Sequence, residues 1–252
     1  MKFSLNQAYT NQKEDIFSLV TNFDALDDPN AFGSRNKIKA INLNDKPLCI
    51  KSFKRPNVIN RIAYTFFRKS KAERSYTFAH RLLSLGIGTP EPIAFFEFKK
   101  YGLINKSFYI SEQLDSDLTY RDLTKNFDYP DYENILRAFT RFTNELHNKG
   151  VLFLDHSPGN TLIKKVGNQY HFFLVDLNRM RFKQLSFEER INNYRKLTIH
   201  SSMVEIMSDE LSKITNYDFD KINALMWAST EQFQKSYHRR RKLKKQLKFW
   251  RK

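Results

Sequence analysis

The sequence is poor in cysteine, glycine and proline, with one, seven and seven in 252 residues. A single thiol, Cys49, cannot close an intrachain disulfide, so the fold does not depend on an oxidising compartment and a reducing cytoplasm suits it. So few glycines and prolines leave little room for flexible low-complexity segments, and no internal repeat is visible. Long apolar runs are also missing. No segment approaches the roughly 18 apolar residues of a spanning helix, and the opening MKFSLNQAYTNQKEDI lacks the continuous apolar stretch of a signal peptide. The expectation is a soluble or peripheral protein. Carboxylates are scarce too: 27 Asp plus Glu face 43 Lys plus Arg, a net charge of +16. Such a chain is drawn to a polyanion, whether nucleic acid, an anionic bilayer or an acidic substrate.

What is present is core material. Hydrophobic residues make up 40% of the chain, with 23 Phe and 12 Tyr, enough for one large domain or two lobes sharing an interface. The first half reads as strands with one helix inserted. Lys37 to Leu43 alternates around Ile38 and Ile41, Asn44-Asp45 is a turn, and Leu48 to Phe53 is a second strand. A helix is expected from about Lys69 to Leu85, closing at Gly86. Strands follow from Ile93 to Phe98 and from Phe108 to Leu114. The second half is mainly helical, opening with Tyr132 to Asn148, where Ile135, Phe139, Phe142 and Leu146 keep a helical spacing and Gly150 is the stop. Short strands around Thr161 to Lys164 and His171 to Val175 precede more helix. The expected fold is α+β, with an N-terminal lobe over residues 1–114 of antiparallel strands plus one helix, and a mostly helical lobe over 115–252.

The segment FLDHSPGNTLIKKVGNQYHFFLVDLNR carries the chemistry. Asp155 and Asn160 lie five apart on a loop, and Asp176 ends an apolar strand sixteen residues later. Phosphoryl transfer needs a carboxylate to orient and deprotonate the attacking hydroxyl. It also needs an amide oxygen and a second carboxylate for the magnesium that bridges ATP phosphates. Upstream, LCIKSF sets Lys51 alone among apolar residues of a strand, where an ammonium requires an anion: nucleotide phosphate, or Glu73 on the following helix. The order Lys, Glu, Asp, Asn, Asp is that of the roles in the protein-kinase fold.

On IKSFKRPN, KAERSYTFAHRLLSLGIGTPEPIA, FYISEQL, ELHNKGVLFLDHSPGN and FFLVDLNR the chain resembles the lipopolysaccharide kinase family, over roughly Arg35 to Arg195. The resemblance implies a protein-kinase-like two-lobed fold and ATP-dependent phosphorylation of Kdo (3-deoxy-D-manno-octulosonic acid) or heptose in the lipopolysaccharide inner core. It places the enzyme at the cytoplasmic face of the inner membrane. Within it Lys51 is the phosphate-binding lysine, Glu73 its helix partner, Asp155 the catalytic base, and Asn160 and Asp176 the magnesium ligands. Phe153 stands where the family pattern of kinases has a histidine, and Asn178 where a glycine follows the magnesium aspartate. AFGSRNK offers Gly33 as its one phosphate-loop glycine, with Arg35 as a compensating ligand. Backbone groups near Glu112 to Leu114 are the expected seat of adenine. Arg179 and Arg181 face either an acidic acceptor or solvent.

His147 and His156 are read as packing or loop residues rather than metal ligands. The tail HRRRKLKKQLKFWRK holds nine Lys or Arg between Arg239 and Lys252. As a helix it would set Leu243, Leu247 and Trp250 in one stripe, a pattern suited to anionic lipid. Nucleic acid is disfavoured because only Phe249 and Trp250 could stack on bases there. RIAYTFFRKSK is a second basic-aromatic stretch, either an irregular connection or an aid to adhesion. The alternatives to an enzyme of this kind are a catalytically inactive kinase-like adaptor binding nucleotide or membrane, and a kinase for another small acceptor.

Overall fold

The computed structural model describes residues 1–26 and 36–249, so the Gly33 and Arg35 expectations, and that for Trp250, lie outside the described residues. The chain forms two compact units, Met1–Asp115 with Phe173–Arg179, and Ser116–Phe172 with Met180–Lys252.

The first unit contains β1 (Lys2–Leu5), α1 (Lys13–Thr21), β2 (Lys37–Leu43), β3 (Lys46–Phe53) and α2 (Val58–Ile62), the last running into a π-helical turn, Ala63–Phe67. It continues with α3 (Lys71–Ser84), β4 (Pro92–Lys100) and β5 (Leu103–Glu112). The strands make one antiparallel sheet in the order β1-β4-β5-β3-β2. The β2–β3 hairpin turns on Asn44 and Asp45 at φ +49° and +63°, the paired left-handed conformation that two-residue hairpins need and that Asn and Asp tolerate best. Strand alternation gives the sheet two apolar faces. Leu48, Ile50, Phe96, Phe108 and Ile110 pack with Ile16, Val20 and Phe23, the buried side of α1 and the residues after it. Phe95, on the other side of β4 from Phe96, meets Tyr76 of α3 with ring centroids 5.5 Å apart. Ser70 caps α3, its Oγ accepting from the Glu73 amide at 3.1 Å.

Two helices here depart from the one-helix expectation. The apolar residues of α1 are short in number and dispersed among charges, and its fourfold spacing, Ile16 to Val20, is too brief to stand out before the sheet supplies a surface. Of the RIAYTFFRKSK stretch, Arg61 to Phe67 is helical and residues 68–70 form the irregular connection to α3. Asn57 Oδ1 caps α2 by accepting from the Asn60 amide at 2.9 Å, a start signal that the exposed apolar residues after it obscure.

The segment Phe173–Arg179 is tied into this unit by two hydrogen bonds. The Leu174 amide donates to the Gly88 carbonyl at 2.9 Å, and the Thr89 hydroxyl to the Leu174 carbonyl at 2.8 Å.

The second unit runs β6 (Leu118–Thr119), α4 (Tyr120–Leu123), α5 (Tyr132–Asn148), β7 (Val151–Phe153), β8 (Thr161–Val166), β9 (Gln169–Leu174, its last two residues counted with the first unit) and β10 (Met180–Phe182). Then come α6 (Phe187–Asn193), a short turn of helix at Tyr194–Lys196, α7 (Ser201–Ile214) and α8 (Phe219–Phe249). Ile135, Leu136 and Phe139 of α5 are buried against Tyr194, Met203, Met207, Leu211, Ile222 and Met226. α5 ends where Gly150 turns to φ +71°, and a Cβ there would sit 3.0 Å from the Lys183 carbonyl oxygen, so the turn into β7 requires glycine twice over. β7 pairs antiparallel with β10, Leu152 opposite Arg181.

Candidate active site

The candidate groups fall on both units, and each half is built differently. In the first unit, β3 carries Lys51 next to the buried Ile50 and two residues before the buried Phe53. Its side chain is 13% exposed, and its Nζ donates to Asp176 Oδ1 at 2.7 Å. Asp176 stands in the left-handed region at φ +58°, a conformation disfavoured for an aspartate and typical of functional sites that the surrounding fold holds in place. Oδ1 also accepts from Asn178 Nδ2 at 2.6 Å. Asn178, which replaces the glycine of the kinase pattern, thus orients the carboxylate. Two donors on one oxygen leave Oδ2 as the atom suited to a cation.

Glu73 does not take the place expected of it. Its carboxylate accepts from Lys2 Nζ at 2.7 Å, with Lys69 at 3.8 Å, while Lys51 is engaged by Asp176. The reason is β1. That strand pairs with β4 and sets Lys2 opposite Glu97, which brings an ammonium to the first turn of α3. At the segment expected to receive adenine, the Glu112 amide bonds to Glu91 O at 2.9 Å and the Gln113 amide to Pro47 O at 2.8 Å. Pro47 has no N–H to return, so the Gln113 carbonyl receives nothing from that residue. The Glu112 side chain is taken by the Tyr9 hydroxyl at 2.5 Å, and burial together with that carboxylate pushes the Tyr9 phenol above its ordinary range.

In the second unit the loop between β7 and β8 holds Asp155 and Asn160. Asn160 Nδ2 donates back to the Asp155 carbonyl at 2.8 Å, and the Asn160 amide closes a turn on Ser157 O at 2.9 Å. With its nitrogen committed, the Asn160 amide group presents Oδ1 as its ligating atom. Lys196, from the turn after α6, donates to the Leu154 carbonyl at 2.6 Å and to Asp155 Oδ1 at 3.3 Å. Gly159 lies so close to Arg121 of α4 that a Cβ there would overlap the guanidinium, which sets that cation against the loop.

Beneath the loop lies a neutral frame. His156 is fully buried, stacks on Phe139 at 5.4 Å and shares a 3.2 Å hydrogen bond between Nε2 and Thr143 Oγ1. Asn193 donates to the Phe153 carbonyl at 2.8 Å while its Oδ1 accepts from His147 Nε2 at 3.1 Å. Burial pulls His147 down from 6.5 to about 4 and His156 to about 3, so both imidazoles are neutral. Sequence reasoning found none of Lys196, Asn193 and Arg121. A lone lysine in NNYRKLT carries no local sign of the loop it serves, whereas Asn178 was visible as a departure from the kinase pattern.

A lysine–aspartate pair on a sheet unit, with an Asp-x4-Asn loop on a helical unit, defines a phosphotransferase of the protein-kinase-like class. Residues 47–224 match the family model described as the lipopolysaccharide kinase (Kdo/WaaP) family. That is most of the chain, which belongs to this family. Among solved structures it is similar to "WaaP in complex with acyl carrier protein", with a TM-score of 0.64 and 15% identity over 94% of this chain and 100% of that one. At that identity the likeness shows the fold. No curated protein matches the sequence.

Proposed function

We propose that the protein transfers the γ-phosphoryl group of ATP to a hydroxyl of Kdo or heptose in the lipopolysaccharide inner core, at the cytoplasmic face of the inner membrane. The observation that carries this reading is the Asp155–Asn160 loop, in which Asn160 is locked onto the Asp155 carbonyl while Lys196 reaches the Asp155 carboxylate. Asp155 accepts the proton of the acceptor hydroxyl as its oxygen bonds to the γ-phosphorus. The bond from that phosphorus to the bridging oxygen breaks, and ADP leaves with the electron pair. Lys51 binds nucleotide phosphate. Asp176 Oδ2 in the first unit and Asn160 Oδ1 in the second are each the hard-oxygen type of atom that would hold magnesium, which when bound would neutralise phosphate charge.

The +16 charge supports an acidic acceptor, since Kdo carries a carboxylate. Arg121, beside the catalytic loop, is a candidate for holding it, as are the exposed Arg179 and Arg181. The basic residues from Arg239 to Lys244 are exposed on α8 and suit an anionic bilayer, and among the described residues no helix is long and apolar enough to cross one. Because the similar structure is of a complex with acyl carrier protein, a protein partner belongs to the reading as well.

The test is transfer of labelled γ-phosphate from ATP and magnesium to purified Kdo-lipid A and to heptosylated core. Product should fall by about two orders of magnitude or more in Asp155→Ala. Nucleotide binding without transfer to any acceptor would favour the adaptor.

A further inference from the structure

The first unit exposes apolar side chains on a segment that hydrogen bonds tie to its sheet. In α2 and the π-helical turn after it, Val58, Ile59, Ile62, Phe66 and Phe67 all face solvent, Ile59 being 78%, Phe66 67% and Phe67 82% exposed. Tyr101, in the β4–β5 turn, is 88% exposed. This is no frayed loop. Arg61 points inward and is buried, its Nε donating to the Ile104 carbonyl at 2.8 Å and its Nη2 to the Lys100 carbonyl at 3.2 Å. Thr65 Oγ1 donates to Arg61 O at 2.7 Å and accepts from the Ile104 amide at 3.1 Å. The polar side chains of the helix therefore grip the β4–β5 hairpin, the reverse of an ordinary surface helix, and the apolar ones are turned out. The extra residue of a π-helical turn shifts the side chains that follow it around the axis, a feature common at functional positions.

Exposed cations flank the segments that carry this face. Lys54, Arg55, Arg68, Lys69, Lys71, Lys99 and Lys100 are all exposed and lie close to it in the chain, and no carboxylate occurs between Asp45 and Glu73 in the sequence. Protein–protein interfaces are depleted in lysine, whereas aromatic tips ringed by Lys and Arg match the boundary between anionic headgroups and acyl chains.

We infer that the face formed by Val58, Ile59, Ile62, Phe66, Phe67 and Tyr101 docks on an anionic phospholipid bilayer, with the aromatic tips entering the headgroup boundary. This element is separate from the basic end of α8, and it does not depend on the phosphoryl-transfer reading. It adds apolar insertion to the attraction that the basic residues of the tail offer. Insertion resists salt, while attraction between exposed charges is screened by it.

The experiment uses the full chain with vesicles of phosphatidylcholine alone or mixed with phosphatidylglycerol. The wild type should co-sediment with the anionic vesicles. Phe66→Ser/Phe67→Ser should weaken partition by about tenfold or more, as expected for removing two buried aromatic side chains from the bilayer boundary. It should do so equally in a background carrying Arg240→Glu, Arg241→Glu and Lys244→Glu. Both residues are exposed, so the thermal midpoint should not move. Phe67→Trp should gain fluorescence quenching by brominated lipid beyond that of the native tryptophans. A wild type left in the supernatant with every vesicle overturns the inference. So does unchanged partition of the double serine variant, or a Phe67→Trp variant that brominated lipid quenches no more than the wild type. Retention of transfer to a soluble sugar by the double serine variant keeps this outcome distinct from any failure of the kinase reading.

Discussion

In the first unit the candidate groups hold one another by charge: Lys51 with Asp176, Asn178 with the same carboxylate oxygen, and Lys2 with Glu73. In the second, neutral hydrogen bonds hold the Asp155–Asn160 loop, the Asp155 carbonyl accepting from Asn160 and the Phe153 carbonyl from Asn193, and Lys196 adds a charged bond to the Leu154 carbonyl. The contrast separates two tasks. An ion pair can exchange one partner for a phosphate or a metal without breaking the fold, because its members stay charged and close to water. A loop fixed by backbone and buried neutral hydrogen bonds keeps its geometry whatever arrives, and this is what orientation of a nucleophile requires. On the proposed reading, the first unit takes up the ligand and the second positions the reaction.

The largest expected effect tests the charge-held half. Asp176→Asn should lower transfer by about two orders of magnitude or more, as for loss of a group that stabilises charge in the transition state. Lys51→Met should do the same, and the double variant should fall less than the two losses combined, since each removes the other's partner. Full additivity in transfer rates would show that the pair does not act as a unit. In the second unit, Lys196→Met should lower kcat by about tenfold with KM little changed, because it disturbs the orientation of Asp155 rather than acceptor binding. A rise in KM alone would move Lys196 to acceptor binding.

The neutral frame makes a prediction in pH. His147 and His156 titrate near 4 and 3 in the folded chain against 6.5 when unfolded, so below 6.5 the unfolded state takes up protons that the folded state refuses. Stability is therefore full above that value and falls as pH drops. Each group costs about 1.4 kcal/mol per pH unit until its folded value is reached. Urea midpoints should decline from about pH 7 to about pH 5, and His156→Leu should make the decline shallower. A midpoint flat over that range would mean that the imidazoles are not held neutral. The smallest effect belongs to Glu73→Gln. If its partner is Lys2 and not Lys51, transfer should change by less than about threefold, within the usual range for a partly exposed ion pair. A loss as large as that of Lys51→Met would restore Glu73 as the lysine's working partner.

Much of the architecture was legible from local rules. The β2–β3 hairpin follows from alternation around Ile38 and Ile41 and from the Asn44-Asp45 turn, and α5 runs from Tyr132 to Asn148 as its spacing indicates. The residues on which the proposed phosphoryl transfer rests, Asp155, Asn160 and Asp176, can also be read off the sequence by their spacing. The N-terminal strand and helix were not. β1 is only four residues long, KFSL, and its place comes from pairing with β4, about which its own residues say nothing.

The sequence by itself determined where most helices and strands form and which carboxylates and amide flank the loop, because turn chemistry and side-chain periodicity act over a few residues. Tertiary structure alone decided which charge meets which. Lys196 and Asp155 are 41 residues apart, Lys2 and Glu73 are 71 apart, and Lys51 and Asp176 are 125 apart. A chain with 43 cations and 27 anions admits many pairings of equal chemical plausibility. Distance selects among them, and distance exists only once the sheet of the first unit and the buried frame of the second have formed.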